Sequence, residues 1–149
     1  MQTNNTLHSK TAYDANFLFD DGNTYTTVGD NVTKVSAAVK SFDLNALFGE
    51  SKGIMKNLVL NLVLLALDIS SADETYKIRI DESSDSGFAT IERQTTFAID
   101  KTVVVPSATD PYLLSLQIAP PKERYLRVVI VAGGTTPSAQ TSKGWLSVE

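Results

Sequence analysis

The sequence predicts an all-β protein, an antiparallel β-sandwich or jelly roll of about eight strands with one short helical connector. Three observations predict it. Apolar and polar residues alternate with a period of two along much of the 149 residues, which sends successive side chains to opposite faces of a sheet. Two further runs are apolar almost throughout, as in central strands. Turn-forming clusters separate these segments at short intervals and no helical pattern alternates with them, which argues against a parallel α/β sheet.

From the N-terminus, the polar opening Met1–Asp14 has no strand pattern, and residues 1–20 read as an extended arm on a single domain spanning 1–149. Val35, Ala37 and Val39 share one parity and suggest an early strand. Asp43 and Gly49 bracket Leu44–Phe48 as the start and stop of a short helix. The run from Lys56 to Asp68 reads as a central strand, with a buried helix as the alternative because Leu and Ala favour helix. Tyr76, Ile78 and Ile80 face a core opposite Lys77, Arg79 and Asp81. Phe97, Ile99, Val103 and Val105 share a parity, with a turn or bulge expected at Lys101. Tyr112, Leu114, Leu116 and Ile118 face inward, and the β-branched run Tyr125–Ala132 is a second central strand ending at Gly133-Gly134.

Composition removes several classes of chemistry. There is no cysteine, hence no thiol nucleophile, disulfide or thiolate metal site. The one histidine, His8, lies in the polar opening, away from the rigid placement that a triad or a catalytic zinc site needs. Asp68, Asp73, Glu74, Asp81, Glu82 and Asp85 lack the ligand spacing of a calcium loop and read as solvated turns. Gly133-Gly134-Thr135-Thr136 lacks the lysine and glycine spacing of a phosphate loop and reads as a turn. A net charge of −4, with basic residues diluted by acidic ones, predicts no direct nucleic-acid contact. The longest apolar run is too short for a membrane helix, and the first residues have no signal-peptide pattern. The expectation is a protein that is not an enzyme and carries no cofactor and no metal.

Two stretches suggest contact with other proteins. Phe17-Leu18-Phe19 follows a polar stretch and precedes the Asp20-Asp21-Gly22 turn, as an anchoring segment would. Val129 and Val131 share the parity of Arg127 yet are apolar, so a second sheet, an arm or a partner must cover that face. The aromatics Phe17, Phe19, Tyr25, Phe88, Tyr112, Tyr125 and Trp145 supply either core packing or a stacking platform for sugars.

Arg124–Val131, Gly133–Ala139 and Ser142–Leu146 together resemble the closing hairpin of the small jelly-roll cement or decoration proteins on the heads of tailed bacteriophages, and Tyr13–Gly22 resembles their opening. The resemblance implies a structural protein of the virion, made in the host cytoplasm, that binds the outer surface of an icosahedral head. Its partners would be the major capsid protein, whose contacts it reinforces, and further copies of itself in a dimer or trimer. Tyr13, Phe17, Phe19, Val129 and Val131 are the candidate contact residues. A carbohydrate-binding β-sandwich module is the alternative.

Overall fold

The structure, a computed structural model, describes residues 17–49 and 57–148. Among these the chain forms strands β1 (Leu18–Asp20), β2 (Thr24–Tyr25), β3 (Gly29–Val32), β4 (Lys34–Val35), β5 (Ala38–Val39) and β6 (Ser41–Asp43), then helix α1 (Leu44–Phe48). Six longer strands follow: β7 (Leu58–Leu67), β8 (Thr75–Ser83), β9 (Arg93–Ile99), β10 (Tyr112–Ile118), β11 (Tyr125–Gly133) and β12 (Ala139–Val148).

Two antiparallel sheets run in the orders β1-β12-β7-β10 and β3-β11-β8-β9, with β2 added beside β12 and β6 beside β11. The pairs β1·β12, β3·β11, β7·β10 and β8·β9 match the first strand of the frame to the last, the second to the next-to-last, and so inward. Folding a chain of eight strands back on itself and rolling the doubled ribbon into two sheets gives this pairing, which is the jelly roll the sequence predicts.

The core lies between the sheets. Leu58, Leu60, Leu62 and Leu64 of β7 meet Tyr76, Ile78 and Ile80 of β8 and Leu126, Val128, Ile130 and Ala132 of β11, all buried in one cluster. Burying each large side chain contributes roughly 1.5–3 kcal/mol, which is why the alternating positions decide the faces. The Leu58–Leu67 run is a strand, with Leu58, Leu60, Leu62 and Leu64 facing this core and Val59, Val63 and Leu65 half-buried on the outer face. Helix α1 forms where expected: the Asp43 carboxylate accepts from the backbone N–H of Asn45 at 3.1 Å and Ala46 at 3.3 Å, and the Gly49 N–H donates to the Asn45 carbonyl at 2.8 Å.

Three expectations are corrected. Residues 18–20, assigned to an arm, form β1 inside the first sheet, with Leu18 opposite Trp145. The strand through Val35, Ala37 and Val39 is a tight hairpin of β4 and β5, turned by Ser36 in the left-handed region at φ 55°. The third concerns Val103 and Val105. β9 stops at Ile99, and the N–H groups of Val103 and Val104 both donate to the Asp100 carbonyl. This turn at Lys101 reverses the parity, so Val104 is buried at 5% exposure while Val103 and Val105 stand at 67% and 59%.

Candidate interaction surface

The sequence-derived contact residues mostly serve this chain's own packing. Tyr13 lies outside the described residues. Phe17 is half-buried with its ring 5.8 Å from that of Phe48 on α1. Phe19 is fully buried in the core, where its ring occupies the space a side chain at position 144 would need; Gly144 on the facing strand supplies the gap. Burial removes Phe19 from any contact surface, while Phe17 keeps part of its surface exposed.

Val129 is also fully buried, and the cover comes from within the chain. It lies on the outer face of the second sheet, opposite Arg79 of β8 and Val32 of β3. Arg79 reaches across β11 to Asp30 of β3, with Nη1 2.6 Å from the carboxylate, while its Nε donates to Asp81 at 2.8 Å. The side chain therefore lies over the Val129–Val131 stretch, its aliphatic stem on apolar surface and its charge at both ends satisfied. Arg127 donates to the other oxygen of Asp81 at 3.0 Å and stacks over Phe88 at 4.5 Å, closing the same face further along. Val131 stays half-buried beside this lattice. An arginine on the neighbouring strand, rather than a second sheet, an arm or a partner, covers Val129.

The acidic positions divide in a way the sequence does not reveal. Asp81, Glu82 and Glu74 are buried, not solvated. Glu82 accepts from the backbone N–H of Lys122 at 2.7 Å and lies 3.3 Å from Arg93, and Glu74 accepts from the Ser71 N–H at 3.1 Å. Among the described residues no cluster of carboxylates and histidine is arranged to hold a metal ion. Asp68, Asp73, Asp85 and Asp100 do cap turns, and hydrogen bonds from Ser70, Thr135, the Ala89 N–H and Thr102 hold their carboxyls below the ordinary range. Arg124 does the same for Asp43, and Ser84 for Glu92.

These shifts set the acid limb of stability. A carboxyl whose folded pKa is depressed stabilises the fold above its unfolded pKa, and that contribution disappears as pH falls through the folded value. The melting temperature is expected to stay level from pH 7 to about 5 and to fall below about 4. The drop should be shallow and weaker in high salt, because these groups are exposed. Thermal melts by circular dichroism across this range check it, and a Tm that rises on acidification would contradict it.

A cleft of about 330 Å³ opens between β2, β3 and the β4–β5 hairpin, lined by Asn23, Thr26, Asp30, Asn31, Lys34 and other small or polar groups. Its one aromatic, Tyr25, is buried at 5% exposure. Every described aromatic side chain is buried or half-buried, so the stacking-platform role expected for some of them has no exposed ring among the described residues. Apolar side chains are exposed both at this cleft, at Val39, and along the β9–β10 connection and the first residues of β10, at Val103, Val105 and Leu113, the last at 46%. Sequence parity placed Val103 and Val105 inward, and the reversal at the Lys101 turn was the signal that could have moved them out. No described helix is long and apolar enough to cross a membrane.

No family model matches this sequence, and no curated protein matches it. Among solved structures the chain is similar to the CBM22-1 xylan-binding domain from Paenibacillus barcinonensis Xyn10C, at 9% identity and a TM-score of 0.44, over 89% of this chain and 91% of that one.

Proposed function

We propose that this β-sandwich module is a capsid decoration protein, which binds the outer surface of an icosahedral phage head and reinforces contacts between major capsid proteins. One observation carries the proposal beyond the sequence resemblance itself. Within the stretches that resemble cement proteins, Leu18–Asp20 of the opening and Gly144-Trp145 of the close lie side by side, as β1 on β12 with Leu18 opposite Trp145 and Asp20 opposite Gly144. Motifs far apart in sequence that form one structural unit are what a shared jelly-roll frame requires. The role needs no chemistry: many copies, each with a modest contact, add up by symmetry and avidity.

Purified chain mixed with emptied phage heads and sedimented should pellet with the particles and saturate at a fixed ratio to the capsid subunit. A chain that stays in the supernatant at every ratio, against heads of the phage that encodes it, sinks the proposal. The polar cleft beside β3 favours a second reading as a carbohydrate-binding module, since amide, hydroxyl and charged groups converge there. Saturable binding on a glycan array, weakened by Asn31→Ala, would move the assignment to that class.

A further inference from the structure

We propose that β10 is a pairing edge for a second copy of this chain, the two copies meeting β10 to β10 across a two-fold axis so that their first sheets become continuous. The proposal stands on the geometry of that edge and does not depend on the capsid reading.

β10 closes its sheet. It pairs with β7 over Tyr112–Ile118 without a register shift, and among the described residues no strand lies along its other side. Proteins ordinarily blunt such an edge with a charge, a proline, a bulge or brevity. The other edges carry these devices: β1 has three residues and an irregular register, β2 has two, β3 includes Asp30, β6 ends in Asp43 and β9 begins with Arg93. β10, with the sequence YLLSLQI, has seven residues and none of the devices.

The side chains along it are incompletely covered. Tyr112, Leu114 and Leu116 point to the core but remain half-buried, as does Phe97 on β9, and all four pack at the margin of the core cluster. Leu113 is exposed on the outer face.

Charge and register argue for an identical copy as the occupant. Two chains of net charge −4 repel, and any charged residue on a two-fold axis meets its own twin. β10 is a strip without charge. Antiparallel pairing about Ser115 sets Leu114 against Leu116 of the second copy and Tyr112 against Ile118, all on the core side. On the outer side it sets Leu113 against Gln117, and Ser115 meets its own twin. The strand is thus complementary to itself, and the pleat keeps apolar residues on the covered face.

The chain contains no cysteine, which makes a single introduced thiol a clean probe. Residues directly opposed in an antiparallel pair have Cα atoms about 4.5–5.5 Å apart, within the span of a disulfide. The full chain should show twice its 16.1 kDa mass by light scattering at ~100 µM. The Ser115→Cys variant should form a covalent dimer on mild oxidation at least ten times faster than Lys77→Cys, an exposed position on the other sheet. Circular dichroism of the reduced Ser115→Cys protein should show the native fold. A wild-type chain that is monomeric at that concentration overturns the proposal. So does a dimer in which Ser115→Cys cross-links no faster than Lys77→Cys, because the contact then lies elsewhere. Pelleting with phage heads moves neither result, so failure of the capsid reading and failure of this one remain distinct.

Discussion

Gly134→Ala is expected to destabilise the protein by about 3 kcal/mol or more, lowering the melting temperature by ~10 °C for a chain of this size. Gly134 has φ +105°, in the left-handed region where a β-carbon is strained. A Cβ built there would lie 2.7 Å from Glu74 Cα, 2.9 Å from the Asp73 carbonyl oxygen and 3.0 Å from Glu74 N. All three neighbours are backbone atoms, which cannot rotate away, and the Glu74 side chain is itself buried. The adjacent glycine provides the control. A Cβ at Gly133 would meet only Thr75 Oγ1, at 2.7 Å, on an exposed side chain that can turn aside. Gly133→Ala should therefore cost under about 1 kcal/mol. Urea melts of the two variants decide it. Equal losses would show that close backbone approach is not what fixes glycine at position 134.

The Gly-Gly-Thr-Thr stretch also shows where sequence stops being informative. Its role as a turn was readable, but its partner was not. Thr135 donates to Asp73 at 2.7 Å, so the turn after β11 and the acidic loop before β8 hold each other, although the loop by itself reads as ordinary solvated carboxylates. Spacing along one segment carries no information about which distant segment it will meet.

The same limit separates what was legible in the strands from what was not. Alternation identified β8 and β10 and their inward residues, because one face of each is apolar and the other polar but for Leu113. It left β7 open between strand and helix, since the outer residues Val59, Val63 and Leu65 are apolar too, and periodicity fades when both faces are partly covered. It detected that the outer face of β11 must be covered, yet it could not name Arg79, whose reach over Val129 follows from sheet order rather than from any local pattern. Parity misled at Val35–Val39, where a hairpin interrupts the run, and beyond β9, where three turn residues shift the phase and exchange Val104 with its neighbours. Phe19 and Val129 were misread as contact residues for one physical reason: a sequence distinguishes apolar from polar but not the inside of its own fold from the inside of an assembly. The exposed Val103, Val105 and Leu113 needed the sheet edge to be seen before they stood out.

Replacing Asp20 should produce the other large loss. Asp20 is fully buried at the end of β1, and its carboxylate is held by four neutral donors. Oδ1 accepts from the Gly22 N–H and from Asn23 Nδ2, each at 2.8 Å. Oδ2 accepts from the Thr141 hydroxyl at 2.8 Å and the Tyr25 hydroxyl at 3.0 Å. These donors belong to the β1–β2 turn, β2 and β12, so one side chain ties the opening of the chain to its last strand. Burial, and then the charge of Asp20, push the Tyr25 hydroxyl well above the ordinary phenol range and keep it a donor. Asp20→Ala would strand the buried hydroxyls of Tyr25 and Thr141 and leave the more accessible Gly22 and Asn23 donors to water, at a cost of about 3–5 kcal/mol.

Asp20→Asn keeps the shape but offers one accepting oxygen where there were two, so its cost should be about 1–3 kcal/mol, and Tyr25→Phe, which removes one donor, about 1 kcal/mol. The order Ala, then Asn, then the tyrosine variant should appear in urea midpoints. Hydrogen exchange on Asp20→Asn should show β1, β2 and the first residues of β12 losing protection before β8 and β11, because the bonds lost lie along one edge of one sheet and leave the central pairing intact. If Asp20→Ala matched the wild type within about 0.5 kcal/mol, the donors would have found water, and the attachment of β1 would have to rest on its backbone pairing with β12 and on Phe19 packing over Gly144.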